Sequence, residues 1–219
     1  MARVIAVGVL VSGSGTNLQA ILDAVSARTL DARVAIVISN VADAGALERA
    51  RRAGVEAIVV DHTLFENRRA FDGAVVRALQ ERSVEVVVLA GFMRLVTDVL
   101  LDAFPMRVVN VHPALLPAFP GIHAQRQAFE YGVRVSGCTV HFVDKGTDTG
   151  PIIAQAVVPV LDGDSESTLR ERILVREHEL LPRALQWIAE GRVSVDPPAV
   201  PGGRARVRVE GAAVISGVA

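Results

Sequence analysis

A single cysteine, Cys138, in 219 residues excludes an internal disulfide and any cysteine-rich metal site, and it reads as a small buried strand residue. Excess charge of either sign is also missing. The formal net charge is −1, which offers nothing suited to nucleic acid or to a membrane surface. The opening "MARVIAVGVLVSGSGTN" has an apolar part too short for a membrane span, and it reads as a strand and turn rather than a signal peptide. Internal repeats and low-complexity segments are absent too. What remains is a chain with 51% hydrophobic residues, long enough for one substantial core and expected in the cytoplasm.

Short, β-branched, nearly continuous apolar runs at Val4 to Val11, Val34 to Ile38, Ala57 to Val60, Val84 to Leu89 and Val108 to Val111 predict strands covered on both faces. Between them lie amphipathic segments with buried stripes at Leu18, Ile21, Leu22 and Val25, and at Phe71, Ala74, Val75, Ala78 and Leu79. That alternation predicts an α/β fold, a mostly parallel sheet wrapped by helices with right-handed crossovers. After residue 132 the rhythm changes. "SGCTVHFV" and "IIAQAVVPV", joined by the polar "DKGTDTG", predict a long hairpin and an antiparallel extension. A helix over about Ser167 to Ile188, kinked near Pro182, precedes the break "VDPPAVPGG" and the strand-like tail "RARVRVEGAAVISGVA".

Ligands of such sheets sit beyond the carboxyl ends of the strands, so each strand's exit is where chemistry is expected. The first exit, "SGSGTNLQAIL", combines Gly13 and Gly15 with three hydroxyls and leads into a helix whose N-terminal amides favour an anion. It reads as a phosphate site, or as a turn that needs glycine for its own sake. Leu18 occupies the third glycine position of a dinucleotide fingerprint, and no lysine follows as in a Walker loop. At the fourth exit, "LAGFMRLV" offers apolar side chains and free backbone to a flat heteroaromatic ring, or is an ordinary connection.

The fifth exit, "NVHPALLPAFPG", is chemically sharper. Asn110 and His112 point to one side of an extended segment and can converge on one atom, as an oxyanion donor and a general acid. Pro113, Pro117 and Pro120 stiffen the exit. A carboxylate should orient such a histidine, and Asp148 is the best candidate with Asp144 its rival. Ile173, Glu177 and Leu181, spaced by four, put an acid on the apolar stripe of the last helix. It requires a partner, either an internal arginine or a substrate amine.

These motifs, with "VISNVADAGALERARRAGV" and "HFVDKGTDTGPIIAQAVVPV", resemble the folate-dependent phosphoribosylglycinamide formyltransferases (glycinamide ribonucleotide transformylases) of purine synthesis. The likeness runs from residue 3 to about 190. It implies a Rossmann-like formyltransferase domain over residues 1–190 and a carboxyl-terminal tail over 191–219. The implied activity is direct transfer of the formyl group of 10-formyltetrahydrofolate to the glycinamide amine, without metal or covalent enzyme intermediate. By residue matching, Asn110, His112 and Asp148 resemble the catalytic trio, Ser14, Gly15, Thr16 and Asn17 the phosphate-holding segment, and Glu177 the acid at the glycinamide end. Arg68 with Met93, Arg94, Leu95 and Val96 resembles folate-contacting segments, as do Val143 and Asp144. Ala114, Ala118 and Leu174 depart from the family's pattern, each at a secondary contact and none in the trio.

The implied partners are small-molecule substrates, with no nucleic acid and no membrane; the oligomeric state stays open, a homodimer being one option. A formyltetrahydrofolate hydrolase has a similar trio but carries an extra amino-terminal regulatory domain, whereas this chain starts directly at its first strand. A methionyl-tRNA formyltransferase needs a carboxyl-terminal RNA-binding domain, for which the roughly 30 residues after Ile188 are too few. A non-catalytic ligand sensor on the same fold would have lost one of the trio, and all three are present.

Overall fold

A computed structural model of the chain describes residues 3–200 and 203–216. These fall into two compact units, Met1–Asn110 and Val111–Ala219. In the first, β1 (Ile5–Val11), β2 (Ala32–Ser39), β3 (Ala57–Val59), β4 (Val86–Leu89) and the start of β5 (Val108–His112) stand in the order β5-β4-β1-β2-β3, all parallel. Every residue of β1 is buried, which is why its sequence lacks the alternation of a half-exposed strand.

Helices α1 (Thr16–Ser26), α2 (Gly45–Arg52), α3 (Arg68–Glu81) and α4 (Asp98–Ala103) connect these strands. α1 buries Leu18, Ile21 and Leu22 and leaves Val25 half-buried. α3 buries Phe71, Val75 and Leu79 from the expected stripe and adds Asp72 and Val76. Its start is capped by Asn67, whose side chain accepts the Ala70 N–H at 3.0 Å. The apolar run from Val84 enters β4 only at Val86, because the Val84 N–H is used by the last turn of α3, donating to Leu79 O at 3.1 Å.

The second unit contains the end of β5, then α5 (Ala124–Tyr131), β6 (Val135–Phe142), β7 (Ile152–Pro159), α6 (Glu166–Ala189), β8 (Val193–Asp196), β9 (Arg206–Val209) and β10 (Ile215–Ser216). β6 and β7 form the expected antiparallel pair, with a register shift at Val140/His141. β10 lies parallel to β7, while β8 and β9 pair antiparallel as a separate ribbon. The whole is the α/β, Rossmann-like class predicted, mostly parallel with an antiparallel extension. Residues 1–2 of the opening stretch, 201–202 of the proline-rich break and 217–219 of the tail strand lie outside the described residues.

α6 carries Glu177 and starts with a capping box, in which Ser165 accepts the Thr168 N–H at 3.2 Å and Thr168 Oγ1 accepts the Ser165 N–H at 2.9 Å. The helix continues through Pro182, the position of the expected kink, and buries that residue. Ser165→Ala should lower stability by about 1 kcal/mol through loss of the cap. Urea unfolding checks this, and an unchanged midpoint would show that the box contributes nothing.

Candidate active site

His112 ends β5 two residues after Asn110, on the same side of the strand, and is 4% exposed. Its two ring nitrogens both face acceptors: Nε2 lies 2.8 Å from Phe119 O, and Nδ1 lies 3.4 Å from Asp148 Oδ2. Only an imidazolium could donate to both at once. Burial nevertheless dominates and pushes the His112 pKa below its ordinary value, outweighing the Asp148 carboxylate and the Phe119 carbonyl; His141 adds to the lowering. The carboxylate favours the charged form of His112, and desolvation opposes it more strongly.

Of the two rival acids, Asp148 is the one beside His112. Asp144 bonds within its own loop, accepting the Gly146 N–H at 3.1 Å and the Thr149 hydroxyl at 2.6 Å. Asp148 also accepts the Gly121 N–H at 2.7 Å, and its other oxygen lies 3.6 Å from His141 Nε2. Burial pulls the Asp148 carboxyl upward, but the His141 ring, the Gly121 N–H and the imidazole of His112 together hold it below the usual carboxylate range. Phe119 and Asp148, which flank His112, both have left-handed backbones, at φ 54° and 53°, a conformation that non-glycine residues seldom adopt without over-determining contacts.

Prolines are only part of what stiffens the loop after His112. Thr139, fully buried on β6, donates to Ala114 O at 2.7 Å and accepts the Leu116 N–H at 3.0 Å. Gln155 on β7 donates to Leu116 O and to Thr139 Oγ1, each at 3.0 Å. Sequence reasoning missed this clip and missed His141, which is 1% exposed and directs Nδ1 at Phe142 O, 2.8 Å away. A signal existed, since period two puts Thr139 and His141 on one side of an otherwise apolar strand. Ala114 is fully buried, Ala118 is exposed and Leu174 is half-buried.

Glu177 is 6% exposed on α6, as its place on the stripe predicts. Cys138 is buried on β6, and burial, followed by the Glu177 carboxylate, pushes its thiol up to about 12. Val143 and Asp144, beyond the end of β6, are half-buried.

In the first unit, Gly15 stands before α1 with φ 75°, and a Cβ there would lie 2.5 Å from the Ala46 Cβ, so the turn requires glycine. Ser14 is exposed, Thr16 half-buried and Asn17 8% exposed, at the amide-rich start of the helix. Arg49 of α2, a residue that sequence reasoning missed, donates from Nε to Ser14 O at 2.8 Å and brings a positive charge to this turn. Nothing in the basic run around it singles out Arg49. At the exit of β4, Met93 and Leu95 are exposed, Val96 is half-buried, and the Arg94 guanidinium lies 5.3 Å from the centre of the Phe71 ring. Arg68, the first residue of α3, is exposed.

Among the described residues no group of three or more His, Cys, Asp or Glu is placed to hold a metal, and no helix is long and apolar enough to cross a membrane. The formyl transferase family profile matches residues 5–185. Phosphoribosylglycinamide formyltransferase of Escherichia coli is 43% identical over 187 residues, 85% of this chain and 88% of its own. The human trifunctional purine biosynthetic protein adenosine-3 is 46% identical over 189 residues, 86% of this chain but 19% of its own, so the chain spans about a fifth of that relative. The crystal structure of glycinamide ribonucleotide transformylase 1 from Symbiobacterium toebii superposes with a TM-score of 0.91 at 55% identity, covering 95% of each chain.

The two pKa shifts at His112 and Asp148 carry one sign for stability. Folded His112 takes a proton less readily than the unfolded chain, so stability falls as pH drops below the ordinary value of 6.5, until the folded pKa is passed. Asp148 contributes fully above its ordinary 3.8 and loses its contribution as pH falls through the depressed folded value. As pH falls below about 6.5, His112→Gln should therefore show a flatter decline of its urea midpoint than wild type. Parallel curves would remove His112 as the source.

Proposed function

Because this chain belongs to the formyl transferase family, we propose that it transfers the formyl group of 10-formyltetrahydrofolate to the amine of glycinamide ribonucleotide, in the purine biosynthesis of the cytoplasm. The observation that carries the reading is the contact of His112 Nδ1 with Asp148 at 3.4 Å, at the end of a strand that also presents Asn110. Relatives named as phosphoribosylglycinamide formyltransferase and glycinamide ribonucleotide transformylase support the acceptor. The family match over residues 5–185 supports assigning the chemistry to residues 1–190, with 191–219 as a tail.

The neutral amine attacks the formyl carbon, a C–N bond forms, and the carbonyl electron pair moves to oxygen. Asn110 donates to this oxyanion through its amide, and His112 through the Nε2–H that Phe119 O otherwise takes. A buried imidazole with a lowered pKa suits the step, because negative charge developing beside it raises its proton affinity as the barrier is approached. Asp148 orients the ring and favours its charged form. Collapse of the intermediate breaks the bond to the folate nitrogen, which receives the amine's proton through water. Ser14 to Asn17 hold the substrate phosphate, and Glu177 meets the glycinamide amine. The folate donor lies against Met93 to Val96, with Arg68, Val143 and Asp144 in supporting contacts.

Purified protein with both substrates should release tetrahydrofolate, followed by absorbance, and a control without glycinamide ribonucleotide should not. Release in that control would make the protein a hydrolase. His112→Ala and Asp148→Asn should each lower kcat by about 100- to 10,000-fold with substrate binding kept; near-normal turnover in either removes that residue from the mechanism.

Glu177→Gln keeps the shape of the side chain and loses its charge. It should weaken glycinamide ribonucleotide binding and leave folate binding and Tm nearly unchanged. If Glu177 instead answers an arginine within the fold, the same change should cost about 3 to 5 kcal/mol of stability with substrate affinity intact. Calorimetry and both affinities on one variant decide between the two.

A further inference from the structure

The segment after Gly91 runs across the exit of β4 without regular structure, and side chains that take no part in the proposed chemistry pin both of its ends. At the near end Ser12 grips two points: its N–H donates to Gly91 O at 3.1 Å, and its hydroxyl accepts the Met93 N–H at 2.9 Å. That hydroxyl in turn donates to Asn40 Oδ1 at 2.6 Å, so Ser12 is itself held from the exit of β2. At the far end Asp72, 2% exposed on α3, takes two bonds on one oxygen, from the Thr97 N–H at 2.5 Å and the Thr97 hydroxyl at 2.7 Å.

Between the pins, Met93 and Leu95 turn outward at 72% and 57% exposure, while Arg94 is drawn over the Phe71 ring. Arg94, Leu95 and Val96 make no backbone–backbone hydrogen bond among the described residues. A stretch without ladder bonds keeps its conformational freedom unless its ends are fixed. A buried carboxylate is costly unless its partners repay it, and charge-assisted bonds to Thr97 are the strong kind.

The geometry points to Ser12 and Asp72 as positioning residues that hold the backbone edge of 93–96 in the shape that receives the flat ring of the folate donor. This rests on the proposed folate reading of that segment. Two pins on opposite sides make the segment a strap of fixed length, so loosening either end changes how its amides and carbonyls meet a ring.

Steady-state kinetics on Asp72→Ala, Asp72→Asn and Thr97→Val, each with both KM values and Tm, test the inference. Asp72→Ala should raise KM for 10-formyltetrahydrofolate about tenfold or more and leave KM for glycinamide ribonucleotide within about twofold. Asp72→Asn keeps an acceptor oxygen and should recover most of the loss. Thr97→Val, close to isosteric, loses one bond and should raise the folate KM by about threefold even if Asp72→Ala does not fold. A folate KM unchanged in these variants, or both KM values rising together, assigns Asp72 to stability alone and overturns the inference. Wild-type protein that does not turn over the folate donor overturns the functional reading, and this inference with it, which is a different result from silent variants of an active enzyme.

Discussion

The carboxylate of Asp148 is where two buried histidines of the second unit, His112 and His141, converge. One oxygen accepts the Gly121 N–H at 2.7 Å and lies 3.4 Å from His112, and the other faces His141 at 3.6 Å. Three separate pieces of chain are thereby held against one another: the strand end that carries His112, the proline-rich loop beyond it and the strand β6. The opposite nitrogens of the two histidines face backbone carbonyls, of Phe119 and Phe142. A single negative charge thus faces two imidazoles whose other sides are already occupied, and rotation of either ring would forfeit its carbonyl hydrogen bond and its approach to the carboxylate.

Burial sets the electrostatic tone of this arrangement. His112 is surrounded by acceptors that would welcome a second proton, yet removal from water outweighs them and keeps its pKa low. In the proposed reaction this places the imidazole near the point of change, where charge appearing on the substrate can tip it. Rigid support is needed for such a balance, because a small displacement alters each contribution. The Thr139 and Gln155 clip supplies it with four hydrogen bonds around residues 114–116, of which the two from Thr139 to the loop backbone are fully buried.

Backbone pattern was legible because it is repeated and local. β1, β2 and the β6–β7 pair fall where β-branched runs place them, and the stripes of α1 and α3 bury Leu18, Ile21, Leu22, Phe71, Val75 and Leu79, leaving Val25, Ala74 and Ala78 half-buried. Polar residues inside those elements were not. Asp72 sits one position after Phe71 on a helix face read as apolar, and its partner Thr97 is 25 residues away. Arg49 is one of several basic residues in its run, and its reach to Ser14 and Gln19 separates it from the rest. Such pairings depend on which side chains meet across long sequence separations, and single-sequence periodicity carries no information on that.

The sequence by itself determined the α/β class and the family, because "NVHPALLPAFPG" and the glycine-rich first turn are contiguous stretches whose residue types constrain the backbone. It also placed Glu177 on a buried stripe by spacing alone. Only the tertiary structure decided between Asp148 and Asp144, which sit four residues apart in one loop: a left-handed backbone at 148 sends that carboxylate toward His112, while 144 turns back to bond Gly146 and Thr149. It alone showed the low pKa of His112 as well. Desolvation is a property of everything packed around a group, and no neighbour in the sequence reports it.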